Sequence, residues 1–202
     1  MKNDREYRTL NLEIEKREDS SEPSYIVRGY ASTFEPYVLF KDGDTEYKEQ
    51  IDPKAFDECD MSDVVFRVDH EGTVYARSSA GTLEVGVDEH GLYDRADLSK
   101  TAKARELFEE ISAGNYPKQS FAFTVSEDSY NKDTHTRTIL KIGKLYDVSP
   151  VSFPANPTTE LDVATRDYFN GVIEAERAER LEAEKREKDK ALLTLKLKLM
   201  ED

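Results

Sequence analysis

The stretch Lys118-Gln119-Ser120-Phe121-Ala122-Phe123-Thr124-Val125 offers a hydroxyl whose small neighbours leave it room to react. Its residues are aromatic, β-branched or small and alternate with period two, which predicts a buried strand. Phe121, Phe123 and Val125 then fill one face, and Ser120, Ala122 and Thr124 the other. A serine so placed ordinarily accepts a close backbone approach; the alternative is that it faces a substrate. A hydroxyl is a weak nucleophile at neutral pH, so that role needs a base within hydrogen-bond reach and a third group to fix the base's tautomer. His70 closes the run Val64-Val65-Phe66-Arg67-Val68-Asp69-His70, read as a strand with Val64, Phe66, Val68 and His70 on one face. Asp147 sits in the mostly apolar run Leu145 to Phe153, where a carboxylate is costly unless paired. Ser120 as nucleophile, His70 as general base and Asp147 as orienting acid would then come from separate strands, and rigid elements hold geometry better than loops.

Residue types alone leave competitors. Lys118 shares the strand face of Ser120 and could serve as base in a Ser–Lys pair. His135, in a polar loop, could replace Asp147 as the third member. Asp69, His70 and another carboxylate could ligate a metal. However, adjacent strand residues point oppositely, and no HxH or HExxH spacing occurs. No metal or cofactor is expected. His90, in the turn Asp88-Glu89-His90-Gly91, is expected to face water.

The elements that must position these groups read as mainly β with flanking helices, an α+β class. Leu10, Leu12 and Ile14 alternate with polar residues as a half-buried strand, followed by a turn at Ser20 to Ser24. Tyr25 to Phe34 is a second strand in which Gly29 permits a bulge or close approach. Glu35 to Gln50 reads as a loop with a turn at Lys41-Asp42-Gly43-Asp44. Asp52-Pro53 resembles a helix start, predicting a short helix through Phe56. Gly72 to Ala80 reads as a polar loop, and Thr82–Val87 with Leu92–Leu98 as a hairpin. Ser99 is the expected cap of a helix that ends at Gly114. Glu127 to Thr136 reads as a hairpin loop between the Ser120 strand and a returning strand Thr138–Ile142; Leu145–Phe153 is the last strand, ended by Pro154-Ala155-Asn156-Pro157. From Asp167 the chain turns almost wholly to alanine, charge and, at its end, leucine. This predicts a domain over 1–166 and a charged helical tail over 167–202.

Composition narrows the function classes. Of 202 residues, 37% are hydrophobic and 36% charged, a skew concentrated in the tail. The net charge of −14 disfavours a sequence-independent grip on nucleic-acid phosphates. The single cysteine, Cys59, makes no internal disulfide and fits a reducing cytoplasm. No apolar run has the length of a membrane span.

The motifs together resemble the prohead maturation proteases of tailed bacteriophages, the HK97-like group, distantly similar to herpesvirus assemblins. Arg28-Gly29-Tyr30-Ala31-Ser32-Thr33-Phe34 is similar to the family's G-Y-A-S-x-F strand, and Glu49-Gln50-Ile51-Asp52-Pro53-Lys54-Ala55-Phe56 to its E-x-I-x-P-G-A-F. Val68-Asp69-His70 resembles the segment with the catalytic histidine. Gly81-Thr82-Leu83 with Gly91-Leu92 resembles its hairpin. Gln119-Ser120-Phe121-Ala122-Phe123 is similar to the nucleophile segment M-S-F-G-F. Asp147 to Pro157 (DVSPVSFPANP) resembles E-V-S-x-V-x-x-P-A-N-P. The likeness covers about residues 25–165 and departs at Lys54, Gln119, Ala122 and Asp147, the last in place of glutamate.

The resemblance implies an assemblin-like β-barrel and a serine endopeptidase. Its catalytic groups would be Ser120, His70 and Asp147, although assemblins use a second histidine as third member. Backbone N–H groups around Ser149 to Val151 would form the oxyanion hole. It implies action in the host bacterial cytoplasm, inside the immature prohead, on the scaffolding part of the major capsid protein and on the enzyme itself. The enzyme would work without nucleic acid or membrane, singly or as a homo-oligomer. The competing reading is an inactive, protease-derived assembly protein that works through its charged C-terminal helix.

Overall fold

The computed structural model describes residues 5–14, 25–152 and 163–201. The chain divides into two compact units, Met1–Asp162 and Val163–Asp202. The first contains strands β1 (Arg5–Ile14), β2 (Ile26–Thr33), β3 (Tyr37–Asp42), β4 (Thr45–Ile51), β5 (Val65–Val68), β6 (Glu71–Arg77), β7 (Leu83–Val87) and β8 (Gly91–Asp97). Helix α1 (Ala102–Ser112) follows, then the long strands β9 (Lys118–Asn131) and β10 (Thr136–Val151). The second unit is one helix, α2 (Val163–Glu201). Among the described residues the fold is mainly β with two α-helices. The turn at Ser20 to Ser24 and the segment Pro154 to Pro157 lie outside the described residues.

The strands pair in the order β3-β4-β10-β9-β1-β2-β8-β7, with β5 and β6 attached beside β10. β9 and β10 form the axis. They run antiparallel over their whole length, with register shifts between Ile139 and Asp147 that let the pair bend. On its other edge β10 takes two strands in succession, both parallel: β4 along Thr136–Ile139 and β5 along Asp147–Val148. β1 also divides its length, pairing through Arg5–Asn11 with β9 and through Leu12–Ile14 with β2.

This shared strand folds the sheet over on itself. Gln119 at the start of β9 donates a hydrogen bond to Asp94 on β8, although β1 and β2 intervene. Three strand steps in a flat sheet would separate them by about 14 Å. Among the described residues the path nonetheless ends at β3 and β7 without pairing between them, so no closed barrel is formed.

Packing seals the Phe121 face of β9. Phe121 and Phe123 are fully buried and stack at 4.7 Å, joining Phe66, Leu145 and Val148 in the core. The same face carries a buried charge network, with the Arg8 guanidinium 5.5 Å from the centre of the Phe123 ring. Arg8 grips Glu49 through Nε and Nη2 at 2.5 and 2.7 Å and Glu6 at 2.6 Å. Arg137 donates to both oxygens of Glu6 at 2.7 and 3.0 Å and to Asp128 at 2.8 Å. Burial works to raise the pKa of Glu6, but Arg8 and Arg137 outweigh it and hold the carboxyl below its usual range. The network pins β1, β4, β9 and β10 together.

Several expectations are corrected. Glu35–Gln50 is not a loop: β3 and β4 form a hairpin around Gly43, whose φ of 59° suits the tight turn. Residues 53–58 are successive turns, not a helix, with Asp52 Oδ1 accepting from Lys54 N. The β2 bulge falls between Tyr30 and Ser32, not at Gly29. Most of Gly72–Ala80 is β6, and the loop after β9 shrinks to a turn between Asn131 and Thr136. The expected strands Thr138–Ile142 and Leu145–Phe153 are one strand, β10. Helix α1 is capped by Thr101, which accepts from Ala104 N at 3.1 Å; Ser99 instead closes a turn onto Asp97.

In α2, Leu181, Leu192 and Leu193 are exposed, and Arg186 pairs with Glu182 one turn away. Among the described residues no helix is long and apolar enough to cross a membrane.

Candidate active site

Ser120 lies on β9 with its residue 2% exposed, on the face opposite Phe121. Its neighbour Ala122 is fully buried, and Ser149 of β10 is its register partner. The small side chains on this face leave the hydroxyl free for a partner from outside the strand pair.

That partner is His70, reached by a route the alternation of β5 does not suggest. β5 ends at Val68, and Asp69 and His70 turn in the left-handed region at φ 48° and 59°. Two consecutive non-glycine residues there are strained, and the surroundings hold them. Asp69 N donates to Pro150 O at 3.1 Å. Its carboxylate accepts from Ser152 N at 2.9 Å and from Ser152 Oγ at 2.5 Å. The bend therefore hangs on the end of β10 and carries the imidazole back over the sheet. His70 Nε2 lies 2.8 Å from Ser120 Oγ.

Asp147 completes the series: its Oδ1 is 2.6 Å from His70 Nδ1. β5 pairs with β10 at Asp147 itself, which brings the bend and the acid close. Asp147 is 2% exposed, and its carboxylate takes a second hydrogen bond from Ser149 Oγ at 2.7 Å. Its pairing meets the requirement that a carboxylate in an apolar run be satisfied.

The arrangement brings Ser120, His70 and Asp147 together in one chain of hydrogen bonds. A carboxylate on Nδ1 fixes the tautomer in which Nε2 is free to accept a proton from the hydroxyl. The competing groups lie elsewhere. His135 sits in the turn before β10, with Nδ1 3.1 Å from the Tyr130 hydroxyl and its ring against Tyr47. Asp69 is engaged with Ser152, and His90 is exposed beside Tyr30. Lys118 begins β9, while the imidazole of His70 occupies the place of base beside Ser120 Oγ.

Two contributors escaped sequence reasoning. Tyr7 on β1 packs its ring on that of His70, centroids 4.5 Å apart and planes inclined at 60°. It lies in a polar opening stretch with no motif, and only the β1–β9 register, which sets Tyr7 opposite Ala122, could have found it. Ser149 is the second: its hydroxyl donates to Asp147 Oδ1, whereas the resemblance points only to backbone N–H groups around it.

A family model described as caudovirus prohead serine protease matches residues 11–171. No curated protein and no solved structure matches the chain. The matched region spans Ser120, His70 and Asp147 and nearly all the strands that carry them. With most of its length covered by that one model, the chain belongs to the caudovirus prohead serine protease family.

Proposed function

We propose that the protein is the maturation endopeptidase of a phage prohead, cutting the scaffolding part of the major capsid protein and itself. The observation that carries this reading is the position of His70, within hydrogen-bond distance of Ser120 Oγ on one side and of Asp147 on the other. Ser120 Oγ attacks the scissile carbonyl as His70 Nε2 takes its proton. The same nitrogen then delivers the proton to the leaving amine, and water repeats the cycle on the acyl-enzyme. Asp147 keeps the imidazole oriented and supports its transient positive charge, and Ser149 orients Asp147.

By analogy with the assemblins, the oxyanion is held by backbone N–H groups of the segment Ser149 to Val151. Pro150 has no N–H, so the donors in that segment reduce to Ser149 and Val151. The charged helix α2 tethers the enzyme to the scaffold or is trimmed during self-cleavage. The setting is the host bacterial cytoplasm, inside the immature particle.

The test is co-expression with the cognate capsid protein, comparing wild type with Ser120→Ala by mass spectrometry. The wild type is expected to trim the scaffold segment and its own chain, and the variant to leave both whole. Equal processing by the variant would overturn the reading. So would a cognate capsid protein left whole by the wild type.

A further inference from the structure

A second polar pair lies beside Ser120 and takes no part in the hydrogen-bond series just described. Gln119 and Asp94 are both buried, at 0% and 1% exposure. Gln119 Nε2 donates to Asp94 Oδ1. Asp94 Oδ2 and Gln119 Oε1 are buried and have no hydrogen-bond partner among the described residues. Both atoms are acceptors when the carboxyl is ionised, so neither can satisfy the other. Leaving two buried acceptors orphaned is costly. One proton removes both costs: an O–H on Oδ2 donates to Oε1, and the two planar groups close a two-bond ring.

We infer that Asp94 is protonated in the resting protein and that, with Gln119, it forms an acid–amide clamp that positions the start of the Ser120 strand. The clamp ties β9 to β8 across the interior, one residue before the candidate nucleophile. Its positioning role rests on the peptidase reading; the proton on Asp94 does not.

The electrostatics agree. Burial pushes the Asp94 carboxyl up to about 7, opposed only by the hydrogen bond from Gln119. Charged and titratable groups lie near the pair without facing it. Arg28, Tyr30, Glu84, Asp88, Tyr93 and Arg95 line a cleft of about 480 Å³; the register of Arg28 with Arg95 and of Tyr30 with Tyr93, either side of Asp94, turns these side chains to the opposite face of β2 and β8, and Lys118 opens β9. None of these causes the shift of Asp94.

The sign follows from linkage. The folded carboxyl holds its proton more tightly than the free chain, whose aspartate titrates near ~3.9. Stability from the clamp is therefore complete below about pH 4 and is lost as pH rises through about 7. Asn in place of Asp94 can make both bonds without a proton. Relative to Asp94→Asn, the wild-type folding constant is expected to fall about fiftyfold from pH 5 to pH 7 and about a hundredfold by pH 8, where it levels off. Hydrogen exchange at the Ser120 amide should follow the same ratio. The infrared carbonyl band of a protonated carboxyl should be present at pH 5, lost above pH 8 and absent from Asp94→Asn.

A flat or rising ratio between pH 5 and 7, or no protonated band assignable to Asp94, would overturn the clamp. A Ser120 amide whose exchange ignores the ratio would overturn its positioning role. None of these readouts depends on cleavage, so a protein with the clamp intact that cuts nothing would count against the peptidase alone.

Discussion

Tyr7 lies face-tilted on His70, its ring centroid 4.5 Å from the imidazole. The next residue along β1, Arg8, is locked to Glu49 and Glu6 on the other side of the sheet. Strand alternation thus converts one buried ion network into a fixed wall for the proposed base. Replacing Tyr7 by Ala should lower kcat about 2- to 12-fold, the equivalent of an aromatic pair worth about 0.5–1.5 kcal/mol. KM should stay level. Tyr7→Phe should retain most of the rate, since the contact is made by the ring. Steady-state kinetics on a peptide spanning a mapped cut site would check both.

Asp147→Asn keeps the shape of the site but lets the side chain donate to Nδ1, favouring the wrong imidazole tautomer. Scaffold cleavage should fall by roughly 10⁴-fold on the peptidase reading. Ser149→Ala removes only a hydrogen bond to the charged acid and should cost about 1.5–3 kcal/mol of transition-state stabilisation, roughly 10- to 150-fold. If Asp147→Asn cleaves at the wild-type rate, the carboxylate is not the orienting group.

Glu49 should matter to the fold and not to the chemistry. It accepts from Arg8, from Arg137 at 3.3 Å and from the Tyr37 hydroxyl at 2.5 Å while fully buried. Glu49→Ala strips a carboxylate from two buried guanidiniums and should destabilise the protein by about 3–5 kcal/mol. Denaturant unfolding would measure the loss.

Cys59 should be a poor nucleophile. Burial pushes its thiol up to about 11, so at pH 8 roughly one molecule in a thousand carries the thiolate. Alkylation by iodoacetamide should be slow in the native protein and fast after unfolding. Rapid native labelling would show the thiol to be open.

The role proposed for α2 has its own test. Deleting residues 170–202 should leave peptide cleavage intact and impair incorporation into proheads. Unchanged incorporation would remove the tether.

Legibility followed locality. The Ser120 strand, the β7–β8 hairpin and the end of α1 at Gly114 were readable because a few adjacent residues decide them. The β3–β4 hairpin was not, because Glu49 looks like a loop residue until Arg8 and Arg137, far along the chain, neutralise it. The types of the three site residues were readable and so was their grouping by motif. The setting of His70 was not: the left-handed bend at Asp69 depends on Pro150 and Ser152. Ser99 and Thr101 are both competent caps, and only the packed helix selects the second.

The bend at Asp69 and His70 has a mechanical consequence. Asp147 belongs to β10, Ser120 sits on its ladder neighbour, and His70 is slung from its end through Pro150 and Ser152. Hydroxyl, imidazole and carboxylate are therefore all mounted on a single beam. When that beam flexes the three should travel together, preserving their spacing through correlated displacement where independent supports would let it drift.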